Sequence, residues 1–274
     1  MWFRNLQIYR LPAGWAYSIE KMEEELSKRV FQPCGSQDIS RRGWTSPTND
    51  DRAVLSVGGH LLVKLMTEYK LLPAAVINQE AHKKAVMIEA QQGYKPGRKQ
   101  IKEIKEATLI ELLPKAFVRQ KAIHAWIDLA GGWLVIDAPS PSKAEEVLDA
   151  LRDSLDELPV KMLKTKLSPV SVMTAWLAAN EATGDFTIDQ DCRLRAVTDD
   201  NATVSYTHHA LDGKDVQDHL AAGKIPEKLG MTFDDRISFV LTEKMEVRRL
   251  AFLDIVKADA EREAESADMQ TEAD

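Results

Sequence analysis

Several groups of residues in this chain have types and spacings from which chemistry could be built. Cys34 lies in the stretch from Phe31 to Pro47, FQPCGSQDISRRGWTSP, where a thiol among turn-formers outlines a nucleophile site. No catalytic signature surrounds it, so the thiol reads as a small packed hydrophobe in a structured loop. Gln37, Asp38, Arg41 and Arg42 then fix that loop by side-chain to backbone hydrogen bonds, with the two arginines also placed to touch phosphate. His208 and His209 read as part of a strand, where neighbours point to opposite faces and cannot share one metal ion. His60, His82, His124 and His219 form no recognisable constellation. Asp128 and Asp137, on the two arms of a hairpin, are the nearest thing to paired carboxylates. They could hold Mg²⁺ for a metal-dependent nuclease, but the third acid and the Lys at motif spacing are absent. There is no GxxxxGK[ST] for a P-loop. Cys34 and Cys192 are too few for a disulfide framework and lack CxxC spacing, so both read as reduced. No metal or other cofactor is expected.

Charge is the stronger signal. The 274 residues carry a net charge of −7, which argues on its face against a partner as acidic as DNA. The charge is segregated, however. From Lys83 to Lys121 the ten bases Lys83, Lys84, Lys95, Arg98, Lys99, Lys102, Lys105, Lys115, Arg119 and Lys121 face four acids, a net of +6. From Asp254 to the end, eight acids face Lys257 and Arg262, a net of −6. Local field rather than net charge steers a polyanion, so the basic middle is a candidate nucleic-acid surface. The spacing also allows a plainer reading, because Lys99 with Glu103 and Lys102 with Glu106 are i,i+4 pairs of a solvated helix. DNA and an acidic partner protein both fit the charge.

The elements that must position these residues follow from periodicity. Alternation over Asn5–Leu11 gives a strand, and Ser18 precedes a charged helix with Ile19, Met22, Leu26 and Val30 on one face. Two apolar runs split by Gly58 and Gly59 form a hairpin over Ala53–Leu72; AIHAWIDL, Gly131-Gly132 and WLVID form another. Ser142 with Glu145 reads as the capping box of a following helix. Residues 1–73 and 123–165 are thus two parts of one α+β body of antiparallel sheets and helices. Residues 74–122 read as two helices broken at Gly93, Pro96 and Gly97, an insertion too small to bury much, which should project as a tip and seek another surface. Residues 166–256 form a second mixed α+β base region. Its elements are a helix over Val170–Ala179, strands near Phe186–Val197 and Val204–Ala210, a helix over Asp212–Ala222, and apolar runs at Ile237–Leu241 and Val247–Leu253. The acidic tail, 257–274, has almost no large apolar residue and reads as disordered or as a frayed helix. No apolar run spans a bilayer and the N-terminus lacks a signal-peptide core, so the protein is expected in the cytoplasm.

Phe31, Pro33, Cys34, Gly35, Ser36, Gln37, Asp38, Gly43, Trp44 and Pro47, as a string, resemble the signature of the bacterial recombination-associated RdgC family. The opening WFRNLQIYRL, ELLPKAF from Glu111 to Phe117, and AWID from Ala125 to Asp128 are similar to that family in order and spacing; LAAGKIPEKLGM and DDRISFVL anchor the C-terminal half. The resemblance covers roughly residues 1–256. It implies a ring-forming homodimer that binds duplex DNA without sequence preference, associates with the nucleoid and restrains RecA, with no enzymatic step. It also implies that Phe117, with Leu112 and Leu113, is an apolar anchor between subunits at the helical tip. At His208 and His209 relatives commonly have a Lys or Arg and a Gln that serve DNA contact or ring closure; two largely neutral imidazoles weaken a phosphate contact there. Family members usually continue past this acidic tail, so an open clamp and a closed ring both remain compatible with the sequence.

Overall fold

The computed structural model describes residues 2–12, 15, 17–48, 50–198 and 202–271. The fold is α+β, with antiparallel sheet and, among the described residues, seven α-helices. Two compact units interleave along the chain.

One unit comprises Met1–Trp15, Ile127–Glu146 and Pro159–Asp274. Its strands are β1 (Leu6–Arg10), β6 (Trp133–Asp137), β7 (Lys161–Met162), β8 (Phe186–Arg195), β9 (Thr203–Tyr206), β10 (Ile225–Phe233), β11 (Ile237–Thr242) and β12 (Val247–Phe252). They lie in the order β6-β1-β12-β11-β10-β8-β9, with β7 also on β1. Helices α5 (Pro169–Ala179) and α6 (Lys214–Ala221) belong to this unit, and Met173, Leu177 and Val216 from them form its core with Cys192, Leu194, Leu229 and Met231 from the sheet. Helix α5 begins one residue before the expected Val170: the Ser168 hydroxyl accepts from the Ser171 N–H, Pro169 opens the first turn, and Asn180 closes the helix in the left-handed region.

The second unit comprises Ala16–Trp126 and Val147–Leu158. It contains α1 (Ile19–Ser27), β2 (Ser40–Thr45), β3 (Val54–Val57), β4 (His60–Leu71), α2 (Ala74–Gln92), α3 (Arg98–Leu112) and β5 (Phe117–Asp128) as far as Trp126. Strand β4 carries β3 over its first residues and β2 over its later ones, with β5 as its other neighbour. Gly58 and Gly59 both adopt positive φ, 57° and 82°, which the two-residue hairpin between β3 and β4 requires.

Several expectations change. Helix α4 spans Pro141–Ser154 and passes from the first unit to the second at Val147. It starts before Ser142, with the Ser140 carbonyl accepting from the N–H groups of Lys143 and Ala144, so Ser142 and Glu145 do not form a capping box. On α1, Met22 and Leu26 are buried while Ile19 is exposed; Val30, also exposed, lies beyond the helix, which ends at Ser27. Residues 74–122 hold α2 and α3, and α3 ends at Leu112. A 3-10 turn at Leu113–Lys115, with Pro114 inside it, redirects the chain into β5. The acidic segment takes the helical alternative, as α7 (Asp254–Thr271). Strand β9 ends at Tyr206, so His208 and His209 lie in the turn beyond it rather than in a strand.

Candidate nucleic-acid interface

Helices α2 and α3 touch through Ala81, Ala85 and Ile104, the two alanines allowing close approach, with Ile88 and Ile101 flanking. Thr108 is buried on α3, its hydroxyl satisfied within the helix by donating to the Ile104 carbonyl oxygen at 2.7 Å. Burying that narrow stripe turns the opposite faces to solvent, and the bases are there. Two are tied down: Lys83 pairs with Glu80 and Lys84 with Glu111. The Lys84 ammonium, by its hydrogen bond first and its charge second, holds the Glu111 carboxyl below its ordinary range. Lys102 lies 3.7 Å from Glu106 with both side chains more than half exposed, a pair worth at most about 1 kcal/mol. Lys95, Arg98, Lys99, Lys105, Lys115 and Arg119 are exposed and make no ion pair within 4 Å among the described residues.

Strand β5 extends this surface. Its first six residues are exposed on both faces, and only from Ile123 does the alternation of a half-buried strand set in. Arg119, Lys121 and Phe117 therefore stand on a strand and not on the helical pair. Lys121 lies over the Tyr69 ring at 5.9 Å. Phe117 is 84% exposed, with Val118 and Leu71 also exposed. Leu112 is half-buried, but Leu113 is only 4% exposed, which removes it from any surface available to a second subunit.

The segment around Cys34 is a latch. The Cys34 N–H donates to Glu68 Oε1 at 2.8 Å, its thiol to the Glu68 carbonyl oxygen at 3.5 Å, and Gln120 Nε2 to Glu68 Oε2 at 2.7 Å. Gln120 sits between Arg119 and Lys121, so one carboxylate ties the 31–38 segment to the basic part of β5. The hydrogen bonds from Gln120 and Cys34 hold the Glu68 carboxyl below its ordinary range. Burial, and then the charge of Glu68, push the Cys34 thiol up, away from the thiolate a nucleophile needs. Cys192, buried in the sheet core, is pushed up to about 12. Glu68 was not legible as a site residue; its one signal is an acid interrupting the apolar strand HLLVKLMTEYKL.

Arg41 and Arg42 lie on β2 rather than in a loop, and both are engaged: Arg41 Nε with Asp38 at 2.7 Å, Arg42 with Asp153 at 3.3 Å. Between them and the core, Gly43 is required. A Cβ there would lie 2.4 Å from the Phe31 Cα, where the 29–31 backbone hydrogen-bonds Trp44. Trp44 is buried, its indole donating to Ser154 Oγ at 2.9 Å. His208 has φ 52° and donates its N–H to Asp191 Oδ1, while His209 packs on Tyr206 at 5.2 Å. Asp137 accepts from the N–H groups of Arg4 and Asn5, and Asp128 from that of Gly131, so both carboxylates are used on backbone. Among the described residues no group of three or more His, Cys, Asp and Glu side chains could hold a metal ion, and no helix is long and apolar enough to cross a membrane.

Taken together, these features define an α+β protein with an exposed basic surface on α3 and β5. Comparison with known proteins agrees in class. A family model described as "Putative exonuclease, RdgC" matches residues 1–274. A recombination-associated protein RdgC of Dechloromonas aromatica (strain RCB) is 48% identical over 277 residues, covering 100% of this chain and 91% of the relative. That of Herminiimonas arsenicoxydans is 47% identical over 274 residues, with the same coverage. The chain belongs to the RdgC family.

Proposed function

We propose that this protein binds duplex DNA without sequence preference, surrounds it as a homodimer, and restrains RecA filaments by occupying their substrate. The observation that carries the reading is the set of exposed bases that make no ion pair within 4 Å among the described residues, Lys95, Arg98, Lys99, Lys105, Lys115 and Arg119, gathered on α3, its flanking turns and the start of β5. Ammonium and guanidinium groups on a solvated surface neutralise phosphates and read no bases, which gives affinity without sequence choice. Relatives named for recombination support a DNA role. Phe117, with Leu112 beside it, is the proposed contact between subunits, and a ring closed through such contacts retains DNA topologically while each phosphate contact stays weak. The site in the nucleoid follows from the same reading.

The family description names an exonuclease, and that activity would need carboxylates free to hold a metal ion. Asp128 and Asp137 are both hydrogen-bonded to backbone, so the non-catalytic reading is preferred. A mobility-shift series with two unrelated duplexes tests it. Equal affinity for both, falling steeply with salt, is expected. Absence of DNA binding would favour an acidic protein partner for the basic surface, and divalent-dependent cleavage would restore the nuclease.

A further inference from the structure

The solvent face of the β8-β10-β11-β12 sheet carries a second cationic site, remote in sequence from the first. Cys192, Leu194, Leu229 and Met231 turn to the core, so Arg193 and Lys228, opposite each other in register, turn outward. They line a concavity of about 380 Å³ together with Arg248 and Arg249, a volume within the roughly 300–1,000 Å³ of ligand clefts. Consecutive strand residues ordinarily face opposite sides, yet Arg248 and Arg249 both line it. The cause is a bulge: Val240 pairs with Arg248 and Ser238 with Ala251, leaving an extra residue on β12, and Arg249 takes φ 52°. Strain of this kind persists where surrounding structure imposes it and collects at binding sites.

The four cations are only partly satisfied. Arg193 and Lys228 share Glu227, at 3.1 and 3.8 Å, Arg248 meets Glu246 at 2.7 Å, and Arg249 reaches Asp191 at 3.6 Å. Three carboxylates therefore serve four bases, and of the three only Asp191 lines the cavity. Among the described residues the Nε atoms of Arg193 and Arg248 are buried and have no hydrogen-bond partner, Arg193 being near Glu227 without the alignment of a bond. One lining carboxylate against four lining cations leaves positive charge in the concavity, which an anion with several strong acceptor oxygens would balance.

We infer that this concavity binds a phosphate group, and that its source is the DNA backbone; the choice of source rests on the function proposed above. The test uses the full chain carrying Lys228→Gln and Arg249→Gly. Glycine accepts positive φ without strain, so the second change removes a cation while relaxing the backbone, and the variant should melt no lower than the wild type. Against duplex, its log affinity versus log salt should be shallower by about 1.8, two phosphates at ~0.9 each. An unchanged slope overturns the inference while leaving DNA binding intact. Inorganic phosphate, followed by calorimetry, distinguishes the source: loss of phosphate heat with an unchanged duplex slope shows a free-anion site and overturns the DNA assignment. Should the wild type fail to bind duplex at all, the proposed function falls. Phosphate heat present in the wild type and absent from the variant would still sustain the phosphate site, and no heat in either would overturn it too. A variant with a lowered melting point and an unchanged slope would make Arg249 a structural residue only.

Discussion

Phe117→Ala separates a subunit contact from an ordinary core position. The residue is 84% exposed in its own chain, so almost all of its apolar surface remains to be buried by a partner. Taking roughly 200 Å² for a Phe and about 25 cal/mol per Å², covering that exposed part stabilises a contact by about 4 kcal/mol. Ordering costs and imperfect packing reduce this to about 2–4 kcal/mol, or roughly 30- to 1,000-fold in the dimer constant. The monomer should lose little, because few of its own atoms pack on the ring. Sedimentation over a concentration series reads the dimer constant, and thermal melting at a concentration where both proteins are monomeric reads the fold. An unchanged dimer constant would refute the argument, as would a large drop in monomer melting temperature.

Three further substitutions probe the latch that holds β5. Glu68→Gln should melt below the wild type at neutral pH. Because the folded carboxyl is depressed, its contribution is full above the unfolded carboxylate range and is lost as pH falls through the folded value, so the two melting curves should converge in acid; a pH-independent gap would contradict this. Gly43→Ala places a Cβ 2.4 Å from the Phe31 Cα, backbone that cannot rotate away, and should cost about 1–3 kcal/mol or more by denaturant titration. Cys34→Ser should leave duplex affinity within a factor of about two with a modest loss of stability, since the thiol packs and donates to the Glu68 carbonyl; loss of binding in a normally melting variant would show chemistry at that thiol.

Local order was legible in the sequence wherever one periodicity acted alone. The apolar pattern of Val170–Ala179 marked α5, Gly58-Gly59 turned the β3–β4 hairpin, and Gly93 to Gly97 separated α2 from α3, each by short-range chemistry. The boundary at Leu112 was not legible, because Phe117–Ala122 shows no alternation when both faces of a strand are wet. His208 was misplaced because no Gly, Pro or Asn interrupts Val204–Ala210, while its backbone takes the left-handed region, a conformation ordinarily marked by Gly or Asn. The basic middle could be read because its charges are adjacent in sequence. Arg193, Lys228, Arg248 and Arg249 could not, since only sheet register and a bulge bring them together.

The central claim is that exposed bases on α3 bind DNA through phosphates alone, and the salt dependence of duplex affinity tests it most directly. Lys99, Lys102 and Lys105 are all exposed, and changing the three to Gln removes charge without touching the Ala81, Ala85 and Ile104 contact. With three fewer phosphates neutralised, the slope of log affinity against log salt should be shallower by about 2.7, so a fourfold rise in salt weakens the wild type about 40-fold more than the variant. Parallel slopes in a fully folded variant would contradict the account and take the DNA surface away from α3.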